Sequence, residues 1–357
     1  MKDLGLLPSG INQCLFISPT VICVVYVDDC LLFSRDANEI EKVVDGLGTK
    51  FDLGYEDTDV AGFLGIQLPK NENGTLELKQ TGLIDRILAT MGLDQANGKH
   101  TPAEFGGLAK DTDGHPCCEG WEYAFVVGKL MYLAANTRPD IAFAVHQCAR
   151  FTHHPRATHE IALKRIGQYL LKTRDRGMVI APESNLKLDC FCNADFVGLY
   201  GHEDDQDPVS VNSRSGYVCT LGEIPFLWGS KTQTEIALST LESKYIACST
   251  AMHELVPLRR LMDELSLSLS LNRDSATIVS TVWEDNNGAL AIANKAPPFM
   301  TPRTKHIAIK YHWSRGKIRL GKIEVEKIDT AIQKADIFTK GLRQVEFEST
   351  RILVMGW

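Results

Sequence analysis

Two apolar runs, Val21 to Val25 and Cys30 to Phe33, flank a short acidic turn, the pattern of a buried β-hairpin inside a β-rich stretch from Asn12 to Ser34. A helix is expected next. Asp36 is placed as its N-cap, Glu39 stands at capping-box spacing, and Ile40, Val43, Val44, Leu47 and Phe51 line one face. Phe63 to Leu68 reads as a strand and Asn71-Glu72-Asn73-Gly74 as a turn. From about Leu76 to Ala109 the pattern is a short amphipathic helix through Ile84, Ile87, Leu88 and Met91. Three helical patterns follow: Phe125, Val126, Leu130, Met131 and Leu133; a helix opened by Pro139-Asp140; and Ile161, Leu163, Ile166, Tyr169 and Leu170. From Leu186 to Leu342 the order is three strands, helix, strand, helix, basic helix, strand, helix. That order predicts an α/β layer fold around one sheet.

Length and composition narrow this picture. A chain of 357 residues, 44% hydrophobic and 23% charged, accommodates two or three globular domains. No apolar run is long enough for a bilayer, and the N-terminus lacks the flanks of a signal peptide. The ten cysteines are scattered, and neither Cys117-Cys118 nor Cys190/Cys192 has zinc spacing, so structural thiols in a reducing compartment are expected. A net charge of −7 argues against nucleic acid unless the bases cluster. They do: Arg303, Lys305, Lys310, Arg315, Lys317, Arg319 and Lys322 stand together with no acid among them, interleaved with His306, Tyr311, His312 and Trp313. A phosphate-tracking surface is expected there in preference to a solvated helix face. The acidic stretch Glu203, Asp204, Asp205, Asp207 reads as a solvated insertion.

The chemistry begins at Asp28-Asp29. Two adjacent carboxylates in a tight apolar turn repel one another and lose solvation, a conflict that a divalent cation removes. Two-metal phosphoryl transfer needs such acids on rigid elements, with metals roughly 4 Å apart. Tyr26-Val27-Asp28-Asp29 resembles the catalytic box of reverse transcriptases. Around it, Asn12-Gln13-Cys14-Leu15-Phe16, Phe63-Leu64-Gly65-Ile66, Thr101-Pro102 and Thr137-Arg138-Pro139-Asp140-Ile141 resemble landmarks of copia-type enzymes. The resemblance covers nearly the whole chain. It implies a third metal-binding Asp on an earlier strand, for which there is no room ahead of Tyr26. The polymerase half is therefore expected to be truncated and inactive, unless Met1 is not the true start.

The C-terminal segment resembles the ribonuclease H domain that ends copia-type polyproteins. The resemblance implies four acids holding two magnesium ions. It carries over to Glu242 in Leu241-Glu242, to Asp285 in Glu284-Asp285-Asn286, and to Asp336 in Lys334-Ala335-Asp336. Each has another reading: Glu242 as a capping-box acid after Ser239, Asp285 as an N-cap, Asp336 as a partner of a helix dipole. The family's first acid is missing, because Asn193 stands in its place in Asn193-Ala194-Asp195, and a neutral amide is the poorer ligand for magnesium. Asp195 lies two residues along the strand and would have to reach about 6–7 Å farther. Lys244 replaces a further family acid. Standing two residues after Glu242, it is expected on a different helix face and peripheral.

The expected fold is α+β and α/β: a reverse transcriptase palm remnant with helical thumb and connection, then a ribonuclease H-like α/β domain. The expected divisions are 1–70 palm, 71–110 thumb-like, 111–185 connection and 186–345 ribonuclease H-like. Expected metal and catalytic residues are Asp28, Asp29, Glu242, Asp285 and Asp336, with Mg²⁺ or Mn²⁺. Expected contacts to nucleic acid are Arg303, Lys305, His306, Lys310, Arg315 and Lys317. His306 or His312 in proton transfer is the weaker reading beside a structural role. The implied partners are an RNA–DNA hybrid or primer-template and other retroelement proteins, in cytoplasm or nucleus and not in a membrane. The inherited chemistry is RNA-directed DNA synthesis and cleavage of RNA in hybrids, with the nuclease weakened at Asn193. The alternative is a non-catalytic nucleic-acid-binding remnant that uses the basic 303–322 face.

Overall fold

The computed structural model describes residues 1–54, 63–117, 120–181, 187–198, 200, 208–270, 279–295, 307, 309–321 and 323–357. Arg303, Lys305, His306 and Lys322, and the acidic stretch Glu203 to Asp207, lie outside the described residues. The chain forms two compact units: Met1–Leu64 with His253–Ile278, and Gly65–Met252 with Val279–Trp357. Among the described residues no helix is long and apolar enough to cross a membrane.

The first unit is an antiparallel sheet of β1 (Leu7–Pro8), β2 (Leu15–Ile17), β3 (Val21–Tyr26) and β4 (Asp29–Ser34), in that spatial order, followed by α1 (Ala37–Gly48). Only one side of β3 is well covered. Val21 and Cys23 pack with Leu6, Val43 and Leu47, following the period of two along the strand and of 3.6 along the helix. The hairpin is therefore less buried than its apolar sequence suggests. β4 is the edge strand, and Asp29, Cys30 and Phe33 are exposed. In α1, Asp36 caps Asn38 N at 3.0 Å as expected. Glu39 instead turns to Thr20 Oγ1 at 2.9 Å and Lys42 at 2.5 Å, so the capping box is half formed. Phe51, expected on the helix's apolar face, is 62% exposed. The expected strand at Phe63 to Leu68 is a 3₁₀ turn, Phe63–Gly65, and a single bridge from Gln67 to Lys79, because Leu64 and Gly65 both take positive φ.

In the second unit, helices and one face of the large sheet share a core. Its helices are α2 (Thr81–Met91), α3 (Tyr123–Asn136), α4 (Ala142–Ala149) and α5 (Ala157–Lys172), with the antiparallel pair β5 (Leu76–Leu78) and β6 (Met178–Ile180) beside them. The expected stripe of α2 is buried whole. In α3 the buried face is Tyr123, Val126, Val127, Leu130, Leu133 and Ala134. Phe125 and Met131 stand outside that arc and are exposed. Ile161 of α5 is likewise 68% exposed, while Leu163, Ile166, Tyr169 and Leu170 are fully buried. Between α3 and α4, Thr137-Arg138-Pro139-Asp140-Ile141 folds into a 3₁₀ turn that buries a charged pair. Arg138 holds Asp140 with both forks, Nε to Oδ1 at 2.9 Å and Nη2 to Oδ2 at 2.7 Å. Thr173 Oγ1 accepts from Nη2, and Tyr169 donates to Asp140 at 2.6 Å. Burial pushes the Tyr169 hydroxyl far above its ordinary pKa, so at neutral pH it is a donor.

The large sheet follows: β7 (Leu188–Asp195), β8 (Arg214–Leu221), β9 (Ile224–Thr232), then α6 (Thr240–Ser268), which belongs to this unit as far as Met252, β10 (Ser280–Glu284), α7 (Asn287–Ala293), α8 (Trp313–Arg319) and β11 (Ile323–Lys327). The expected order is found, except that the last segment begins as a 3₁₀ turn, Lys334–Phe338, before α9 (Gln344–Met355). Spatially the strands run β11-β10-β7-β8-β9. β7 is parallel to β10 and antiparallel to β8. β7 is central and buried on both faces. Phe191 and Val218 join the helical core, while Cys192 on the opposite face lies against Cys248 of α6. The cysteines among the described residues are free thiols.

Candidate functional site

The hairpin residues sit where sequence logic puts them, at the β3–β4 turn. Tyr26 pairs with Asp29, leaving Val27 and Asp28 as the two-residue loop. Val27 has φ 53 and is 82% exposed, an unfavourable conformation for a β-branched residue. Such strain costs on the order of 1–3 kcal/mol and is typical of positions kept for function. Asp28 and Asp29 are exposed, contrary to the expected desolvated pair, because the loop projects beyond a sheet whose last strand is an edge.

A second site forms at one end of the large sheet. Asn193 comes from the end of β7, Asp285 from the residue after β10, and Asp336 from the 3₁₀ turn Lys334–Phe338. Gln333 ties these elements together. Its side chain caps Ala335 N and donates to the carbonyls of Cys192 and Trp283 at 3.1 and 3.3 Å. Asn193 donates from Nδ2 to Asp336 Oδ1 and accepts at Oδ1 from Ala194 N at 2.8 Å. Asp285 Oδ2 accepts from Thr330 at 3.0 Å, and Asp336 Oδ2 pairs with Lys340 at 3.0 Å.

From α6, Lys244 enters this group, which corrects its expected peripheral place. Its Nζ donates to Asn193 Oδ1 at 2.6 Å and to Asp285 Oδ1. The two-residue offset from Glu242 does send the side chains apart, but every residue from 242 to 249 is buried. This end of α6 therefore has no solvated face for the lysine to occupy. Glu242 instead accepts from Leu238 N at 2.9 Å, and its own N–H donates to Ser239 Oγ at 3.2 Å, the geometry of a helix cap. Lys340 and Thr330 were not singled out from sequence. Lys340 had a signal, standing four residues after Asp336; Thr330 had none.

The electrostatics follow from this wiring. Burial works to raise the Asp285 pKa, but the hydrogen bond and charge of Lys244 outweigh it and leave the carboxyl below its usual range. Burial raises Asp195, which also feels Lys340, Arg214 and Asp336. Glu284, fully buried beside Asp285, is pushed up to about 8, burial being the largest cause. Its folded pKa lies above the ordinary carboxyl value of 4.5, so between those values the folded state holds the extra proton. Stability from this group is therefore fully present below about 4.5 and lost as pH rises through about 8. Glu284→Gln is expected to flatten that decline in a series of urea titrations. An unchanged pH profile would mean Glu284 is ionised throughout.

Whether this donor set suits two divalent ions is decided by its partners. Asn193 offers an amide, Lys244 brings an ammonium, and the two carboxylates, Asp285 and Asp336, are both paired with lysine. Among the described residues no group of three or more His, Cys, Asp or Glu side chains is placed to hold a metal. The residues present do not fit a magnesium pair.

The basic segment is less uniform than its sequence. Arg315 is 3% exposed and donates to the Lys295 carbonyl at 2.7 Å, so it is an internal strut and not a phosphate contact. The reason is that α8 packs against β11 and buries its Ser314–Arg315 side. His312 is buried, with Nδ1 2.9 Å from Tyr245 Oη, a structural place. Lys310 is exposed and paired with Glu235 at 2.5 Å; Lys317 is half-buried and Arg319 exposed.

The family model for reverse transcriptase (RNA-dependent DNA polymerase) matches residues 2–105. The chain is 32% identical over 329 residues to the retrovirus-related Pol polyprotein from transposon RE1 of Arabidopsis thaliana, covering 92% of this chain and 21% of that protein. The corresponding protein from transposon RE2 of the same plant gives the same identity and coverage. The Pol polyprotein from transposon TNT 1-94 of Nicotiana tabacum is 30% identical, over 94% of this chain and 24% of its own length. The chain thus spans about a fifth of the length of the curated relatives it matches.

Proposed function

Given that the chain carries a copia-type reverse transcriptase domain and is similar over most of its length to transposon Pol polyproteins, we propose that it is a copia-type Pol segment whose ribonuclease H-like part binds RNA–DNA hybrids without cutting them. The carrying observation is the convergence of Asn193, Lys244, Asp285 and Asp336, drawn from distant parts of the sequence, at one end of a mixed sheet. This is where the resemblance calls for carboxylates: Asn193 replaces one of the four acids and Lys244 a further family acid, and neither can serve as an anionic ligand. On this reading 71–185 supplies the thumb and connection, and Asp28-Asp29 belongs to the palm.

The hybrid would be held by its backbone, through half-buried Lys317 and exposed Arg319 of α8 and the cations Lys244 and Lys340 at the sheet end. Hybrid binding followed by fluorescence anisotropy is expected to weaken linearly on a log–log plot against salt. Lys317→Ala and Arg319→Ala are each expected to lower that slope by about one. Salt-insensitive binding, or none, would sink the proposal. Arg315→Ala is unsuitable for this purpose, since its guanidinium is internal.

A further inference from the structure

The poor fit of this site to divalent metal has a positive side. Resting on the ribonuclease H-like reading only for the site's descent, we infer that Lys244 and Asn193 are a mutually compensating pair. In this pair the Lys244 ammonium is the resident counter-cation, making the site's structure and nucleic-acid binding independent of divalent ions.

The hydrogen-bond roles are complementary. Asn193 turns its donor, Nδ2, to Asp336 and its acceptor, Oδ1, to Lys244. The reverse amide orientation would set an NH₂ against an ammonium and an oxygen against a carboxylate, so the network itself selects this one. An aspartate at 193 would face Asp336 directly, and like charges at that distance need a cation between them. The amide removes the repulsion by donating. Lys244 then supplies the positive charge that Asp285 requires, at 11% and 8% side-chain exposure for the two partners.

Charge is balanced as well. Lys244 and Lys340 face Asp285 and Asp336. A divalent ion entering this set would add charge where none is lacking. It would also have to displace an ammonium tethered to the stretch of α6, residues 242 to 249, in which every residue is buried. A strongly hydrated ion with such demands has no reason to enter.

The test uses the whole 357-residue chain. Binding of Mn²⁺ is followed by electron paramagnetic resonance, and thermal unfolding is measured in EDTA and in millimolar Mg²⁺ or Mn²⁺. The wild type is expected to hold no Mn²⁺ at this site and to melt at the same temperature in every condition. Asn193→Asp combined with Lys244→Glu is expected to melt lower in EDTA, to regain stability with metal, and to bind Mn²⁺ at least about 10-fold tighter than the wild type. Lys244→Met, which keeps the packing of the stem, is expected to melt lower and to be partly rescued by Mg²⁺, since Asp285 then lacks its cation. Metal-dependent stabilisation of the wild type that Asp285→Asn abolishes would overturn the inference. So would a Lys244→Met protein as stable as the wild type in EDTA. Hybrid binding in EDTA separates the two readings. Binding that requires Mg²⁺ overturns this inference and leaves the proposed function standing. Absence of binding in every condition defeats the proposed function, while the Mn²⁺ result still decides this one.

Discussion

Asp140→Ala is expected to lower stability by about 3–5 kcal/mol, the usual cost of leaving a buried charge without its partner. The carboxylate is fully enclosed. It receives two bonds from Arg138 and one from Tyr169, and removing it strands a guanidinium that is 1% exposed. Against a typical total of about 5–15 kcal/mol, such a loss brings the second unit close to unfolding at ordinary temperature. Tyr169→Phe removes one charge-assisted hydrogen bond and is expected to cost less, about 1.5–3 kcal/mol. Urea denaturation monitored by tryptophan fluorescence measures both. If Asp140→Ala unfolds at the wild-type urea midpoint, the pair is not closed off from water as described.

Hybrid cleavage by the wild-type chain is expected at background in both Mg²⁺ and Mn²⁺, and so is cleavage by Asn193→Asp alone. Restoring the β7 acid leaves Lys244 in place, and the new carboxylate simply pairs with it. Only Asn193→Asp together with Lys244→Glu is expected to raise the rate, on the order of 10²-fold or more over the wild type. This follows because loss of even an outer partner of a metal ligand typically costs about 10–100-fold. Primer extension by this chain is likewise expected at background. Asp28 and Asp29 stand exposed at their turn, and among the described residues no third acid is placed with them to hold a metal. Robust cleavage by Asn193→Asp alone would show that Lys244 swings out of the site, and would return it to the peripheral place that helix geometry suggested. Measurable primer extension would restore the polymerase reading.

The local patterns were legible where a periodicity meets a single environment. The α2 stripe, the Asp36 cap and the order of elements from β7 to β11 follow from the spacing of apolar residues and from capping chemistry. Errors arose where the environment is not implied by the pattern. The apolar β4 became an exposed edge, Ile161 and Phe125 faced outward, and Arg315, in a run of bases, became an internal strut. An apolar or charged residue carries no information about which neighbour will arrive to cover it.

By itself the sequence determined the kinship, the Tyr26-Val27-Asp28-Asp29 turn, and the substitution of an acid by Asn193. Each of these resides in residue identity and short spacing. Only the tertiary structure decided that Lys244 of α6 faces Asn193 and Asp285. Which side of a helix turns inward is set by what packs around it. Here the packing closes over both sides of α6, so a residue that helix geometry alone would send outward brings its charge into the site.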